Sequence, residues 1–204
     1  MNSKQVALTA VMSALAIVVA YSRGLAISSL PGVFELMTVL IFISGFCFGG
    51  AVGGSVGVIS LSVYMLIPYP FAHPAAWLYS TSPVLLVVMA ALGAMFGLAG
   101  ALASKTLKPD NWKRFSLSLG VLGFALTFAY DVLSSLGFAL AYQLDLVQTI
   151  SLTFVPLYYP WPPIVHTVTN TLIFALIAPP IIQGIRRLPE TLNTGGPKQN
   201  PAKA

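Results

Sequence analysis

A chain of 204 residues in which 57% are hydrophobic and 7% charged has too little polar surface to stand in water, where a soluble domain carries about 25% charged residues. It has room for one helical unit with short loops and none for a separate soluble domain. The net charge of +5 belongs to helix ends facing anionic lipid headgroups, not to nucleic acid, and the single cysteine, Cys47, excludes a disulfide framework or a cysteine metal site.

Six apolar runs follow in chain order: 6–21, 34–49, 51–67, 83–104, 115–142 and 161–185. Each is near the ~20 residues that cross ~30 Å of hydrocarbon. The predicted fold class is an all-α integral membrane protein of six transmembrane helices, occupying 1–187, with a disordered tail over 188–204 rich in Pro, Asn, Gly and Lys. With the N-terminus and C-terminus in the cytoplasm, Lys4, Lys105, Lys108, Lys113, Arg114, Arg186, Arg187, Lys198 and Lys203 lie inside and Arg23 alone lies outside. The reverse orientation violates the positive-inside bias, so the chain is expected to be a multi-pass protein of the cell membrane with both ends inside. The first run, behind Lys4, resembles a signal peptide; an uncleaved helix is expected, because its small residues have a use as a contact surface.

Helices associate in lipid where small residues let backbones approach. The first helix carries Ala10 and Ala14, with Ala7, Ala16 and Ala20 on an adjoining strip. The second and third carry Gly45, Gly49, Gly53 and Gly57 at a spacing of four, with Gly50 and Gly54 interleaved; the fourth carries Gly93, Gly97 and Gly100. The glycines read as packing within one bundle plus a tight turn near 49–54. The alanines read either as packing or as a smooth strip facing another membrane protein.

Polar residues inside the apolar runs each need a reason, since an Asp at a helix centre costs ~2.5–3.5 kcal/mol on insertion scales. Glu35 opens the second helix after Pro31-Gly32, as a dipole-favoured first-turn acid or as an acceptor at a pocket mouth balanced by Arg23. Ser60 and Tyr64 form a milder stripe on the third helix. Thr127, Asp131, Ser134 and Ser135 fall on one stripe of the fifth, with Asp131 ~16 Å below its outer end at 1.5 Å per residue. On the sixth, His166 and Asn170 are four apart, Asn170 ~14 Å below Trp161. Two polar stripes at one depth suggest either a hydrogen bond that fixes packing or a pocket open to the outside. The outer loops hold Tyr69, Phe71, His73, Trp77, Tyr79, Tyr158, Tyr159 and Trp161 among prolines. They read as an interfacial belt or as a lid of rings stacking on a flat heterocycle, with His73 an exposed loop residue.

Six helices with both ends inside, the Ala10-Val11-Met12-Ser13-Ala14 stretch, the glycine-rich junction of helices two and three, and His166-Thr167-Val168-Thr169-Asn170 before Ala178-Pro179-Pro180 together resemble the S-component of an energy-coupling factor (ECF) transporter, over residues 4–187. The resemblance implies the substrate-specific subunit of an ABC-type importer, binding a vitamin or similar micronutrient from outside. It also implies docking through Ala10, Ala14 and Ala7 onto an EcfT-like transmembrane coupling subunit, driven by two ATPases. This chain has no P-loop, so ATP would be used by those partners and no cofactor is expected here. The expected substrate-binding residues are Asp131, Asn170, His166, Glu35, Thr127, Ser135, Tyr64, Trp77, Tyr79 and Trp161. No metal-binding or catalytic motif stands out, and an enzyme is not expected. The alternative is a stand-alone proton-linked carrier or channel working as a homo-oligomer, with Asp131 carrying the proton.

Overall fold

The computed structural model describes residues 1–26, 35–66, 82–154 and 162–187. Among these residues the regular structure is entirely helical: α1 (Ser3–Ala26), α2 (Leu36–Phe48), α3 (Gly50–Leu66), α4 (Pro83–Thr106), α5 (Trp112–Tyr142), α6 (Leu146–Phe154), α7 (Pro162–Leu176) and α8 (Ala178–Arg186). Stretches corresponding to Ser3–Ser22, α4, α5 and Ile164–Arg186 are long and apolar enough to cross a bilayer, whereas α2 and α3 are apolar but shorter. By helical rise α2 spans ~20 Å and α3 ~26 Å, against a ~30 Å hydrocarbon core. Among the described residues there are therefore six apolar helical regions, four of them of full spanning length.

Exposure is inverted relative to a soluble domain. Val87, Leu117 and Val121 are 68, 69 and 63% exposed, while Thr38, Ser44, Thr127 and Asn170 are fully buried. That pattern suits a hydrocarbon solvent, in which polar groups must find partners inside the protein. Some hydroxyls fold back on their own helix: Ser44 Oγ donates to Leu40 O at 2.7 Å and Thr171 Oγ1 to Thr167 O at 2.7 Å.

The glycine spacing read from the sequence becomes an interhelical ladder. A β-carbon on Gly57 or Gly93 would collide with the other's backbone, as would one on Gly53 or Gly97, and one on Gly45 would strike Gly97 O. These positions bring α2, α3 and α4 to backbone contact, which only hydrogen at Cα permits. Gly49 has a different reason. It caps α2 with φ 91°, a left-handed conformation that turns the chain directly into α3.

Three elements differ from their predicted outlines. The run expected from 34 starts its helix at Leu36, because Glu35 is held out of helical geometry at φ −121° and ψ 83° with its N–H donated to Asn170 Oδ1 (3.2 Å). The segment after α5, read as loop, contains α6, started by Asp145, whose Oδ1 accepts from Gln148 N at 2.7 Å. The run 161–185 is broken at Ile177 into α7 and α8. Pro179 has no N–H to give the carbonyl of Ala175, four residues back, and Ser116 Oγ of α5 donates to that carbonyl instead. The predicted tail, 188–204, lies outside the described residues.

Candidate functional site

Helices α5 and α7 pack antiparallel with a register that advances four residues at a time. Phe174 packs into the space left by Gly123, Asn170 faces Thr127, and His166 faces Asp131. Small residues near the start of α5 let α7 approach, with Gly120 against Ala175, and the turns beyond carry the polar groups. The α5 stripe of Gly123, Thr127, Asp131 and Ser135 is buried along its length, since a spacing of four keeps these side chains on one face.

His166 is the hub. Its Nδ1 lies 2.8 Å from Asp131 Oδ1 and its Nε2 lies 2.8 Å from Glu35 Oε2. Thr167 Oγ1 donates to Asp131 Oδ2 at 3.1 Å, so each oxygen of that carboxyl has a partner on α7. Asn170 accepts the backbone N–H of Glu35 on Oδ1, which fixes the amide orientation. Its Nδ2 then lies 3.0 Å from His166 Nε2 and 3.5 Å from Thr127 Oγ1. Tyr130 stands edge-on to the imidazole, ring centroids 6.0 Å apart. Two carboxyls, an imidazole, an amide and two threonine hydroxyls from α2, α5 and α7 thus form one buried cluster.

Such a cluster has two chemical capacities. It can present carboxylate and amide groups to a small polar ligand, and it can shift a proton along Glu35, His166 and Asp131, whose atoms are within hydrogen-bond reach. Among the described residues no group of three or more His, Cys, Asp or Glu is arranged to hold a metal ion. Here the carboxyls bind opposite nitrogens of one ring and do not converge on a common point.

Of the residues expected at the site, Glu35, Thr127, Asp131, His166 and Asn170 are brought together. Asp131 meets His166 directly, while Asn170 sits one turn further along, opposite Thr127. Glu35 stands at the N-cap position of α2 but its side chain makes no capping hydrogen bond; that side chain reaches α7. Ser135 is buried on the same face, but its hydroxyl donates to the backbone oxygen of Asp131 at 2.7 Å. Tyr64 packs against Tyr21 of α1, centroids 5.6 Å apart. Trp77, Tyr79, Trp161 and His73 lie outside the described residues, as does the side chain of Arg23. Thr167 and Tyr130 are cluster members that sequence reading missed. Thr167 follows His166 directly on the buried face of α7, and that adjacency is the signal that could have found it.

Ala7, Ala10 and Ala14 lie on the outward face of α1 together with Val11 and Val18, whereas Ala16 and Ala20 are buried against the bundle. The alanine-bearing strip is therefore open to lipid or to a neighbouring protein in the membrane.

Residues 4–182 match the family described as ECF transporter, substrate-specific component. No curated protein and no solved structure matches the chain. The family match runs from the first turn of α1 into α8 and takes in every helix that contributes to the polar cluster, so the chain belongs to the substrate-specific components of ECF transporters.

Proposed function

We propose that this subunit binds a vitamin or related micronutrient from the outer side of the cell membrane, in a pocket whose polar floor is the Glu35–His166–Asp131–Asn170 cluster. It delivers the ligand through an EcfT-like coupling subunit powered by two ABC-type ATPases. The observation that carries this reading is the cluster itself: six hydrogen-bonding side chains from three helical segments, buried in a chain of which 7% is charged. Polar groups placed so deep in an apolar protein are expensive, and binding is a use that repays the cost. The basic residues favour both chain ends inside, with the outer ends of α1, α3 and α5 toward the nutrient. The exposed strip of Ala7, Ala10 and Ala14 offers the coupling subunit a smooth face for close helix contact.

Native mass spectrometry of the tagged protein, gently extracted from its own membrane, tests the reading. A heteromeric assembly with one membrane coupling subunit and two ATPases, with a small-molecule adduct on this chain, is expected. A homo-oligomer carrying neither partners nor adduct overturns it.

A further inference from the structure

We propose that a cavity between the end of α4 and the start of α5 is a headgroup site for an anionic phospholipid. The lipid is of the phosphatidylglycerol type, with its phosphate taken by Lys108 and Arg114 and a headgroup hydroxyl by Asp110. This site is separate from the Glu35–His166–Asp131 cluster and does not depend on the nutrient the subunit carries.

The helices set its depth. α4 ends at Thr106 and α5 begins at Trp112, and both are long and apolar enough to span a bilayer. The connection 107–111 therefore stands at a membrane surface, and it helps to line a cavity of about 290 Å³, near the lower size of small-molecule pockets. Trp112 is exposed there, and an exposed indole settles at the headgroup level. In the orientation that the basic residues favour, this is the inner leaflet.

The lining is suited to a phosphodiester. Phe115 is buried and gives the cavity an apolar floor, while Lys108, Arg114 and Asp110 are exposed on its walls. Among the described residues neither cation is held by a carboxylate, Asp110 included. Arg186 differs, being committed to the Phe46 ring at 4.9 Å. Asn111 Oδ1 accepts Arg114 N at 3.1 Å, which leaves its amide N–H groups as further donors to an anion. Two cations outweigh one carboxylate, so the site selects negative charge. The carboxylate still matters, because it repels a bare phosphate dianion and accepts from a hydroxyl. A phosphodiester bearing a polyol fits both conditions.

The apolar surface leads to the same place. On α4, exposed Leu102 lies one turn before Thr106 of the cavity wall. On α5, exposed Val121 and Leu117 run back to Arg114 at spacings of four and three, which keeps all three on one face. Acyl chains laid along Leu102, Leu117 and Val121 bring their phosphate to the cavity. A soluble anion would make no use of that surface. Basic recesses between helix ends at a membrane surface are a known form of headgroup recognition.

The test is native mass spectrometry of the full-length protein released from nanodiscs of equimolar phosphatidylglycerol and phosphatidylethanolamine. One phosphatidylglycerol retained per subunit is expected, favoured about fivefold or more, the effect of a single cation near an anionic headgroup. Lys108→Gln with Arg114→Gln should erase that preference. Lys105→Gln with Lys113→Gln removes equal charge from residues that do not line the cavity, and should preserve it. Equal retention of the two lipids by the native protein overturns the proposal, whether or not either variant folds. So does a preference that survives the first double variant, or one lost equally in both, which would mean unspecific attraction to a basic surface. Displacement of the lipid by excess glycerol phosphate would also overturn it, and would make the cavity a site for a soluble phosphate ester.

Discussion

Asp131 and His166 meet across the α5–α7 contact with Oδ1 and Nδ1 2.8 Å apart, both residues under a tenth exposed. Removing either partner leaves the other's polar group buried without its bond, a loss of about 1–3 kcal/mol. Asp131→Ala and His166→Ala should each lower the unfolding free energy in micelles by about that much, and the double variant should lose clearly less than the sum. Strict additivity would mean that the contact holds nothing together.

If the cluster is also the pocket floor, Asp131→Ala should weaken binding of the ligand identified by mass by about 1–3 kcal/mol. Calorimetry on protein in nanodiscs reads this directly. Unchanged affinity would remove Asp131 from the ligand site while leaving its structural bond intact.

The outward strip of α1 gives a prediction that separates docking from binding. Ala10→Trp or Ala14→Trp places a large ring on an exposed face, where it would block a close helix neighbour. Uptake by whole cells should be abolished while the purified subunit still binds ligand. Parallel loss of both functions would assign the strip to the fold of this chain.

Much of this arrangement is legible in the residues because lipid imposes a severe filter. Asp131, His166 and Asn170 stand out in apolar runs, and a spacing of four puts them on faces that must be buried. What periodicity does not give is register. The depths of Asp131 and Asn170 looked alike when each was measured from its own helix end, yet the α5–α7 ladder offsets them by one turn, so that Asp131 pairs with His166. Glu35 was still harder to place, because its partner lies on α7 and no local rule reaches that far. The α6 start, Asp145 followed by Gln148, carries a local capping signal, hidden by its position between two stronger apolar runs.

The glycines of α3 and α4 separate close approach from mere smallness. On Gly97 a β-carbon would collide with the backbone of Gly53, whereas on Gly54 its nearest neighbour is the flexible Leu98 side chain at 3.7 Å. Gly97→Ala should therefore destabilise by about 1–3 kcal/mol, the usual scale of overpacking. Gly54→Ala should be neutral or mildly stabilising, by at most about 1 kcal/mol from helix propensity. Thermal unfolding of the two variants side by side checks this, and equal behaviour would show that the ladder can slide apart without cost.

The break between α7 and α8 supports a sharper test, because a deletion there can be repaired by a second one. Pro179 denies the Ala175 carbonyl its helical partner, and the Ser116 hydroxyl donates to it. Ser116→Ala takes the donor from that part-buried carbonyl, and a loss of about 0.5–1.5 kcal/mol is expected. Pro179→Ala restores an N–H four residues beyond Ala175, so in the Ser116→Ala background it should recover part of the loss. In the native background the same change duplicates a bond already made, and its gain should be smaller. The sign of this coupling is the observable. Were Pro179→Ala to stabilise both backgrounds equally, the Ser116 bond would not be the compensation for the missing amide, and the break at Ile177 would need another cause, such as the pull of Arg186 toward the Phe46 ring 4.9 Å away.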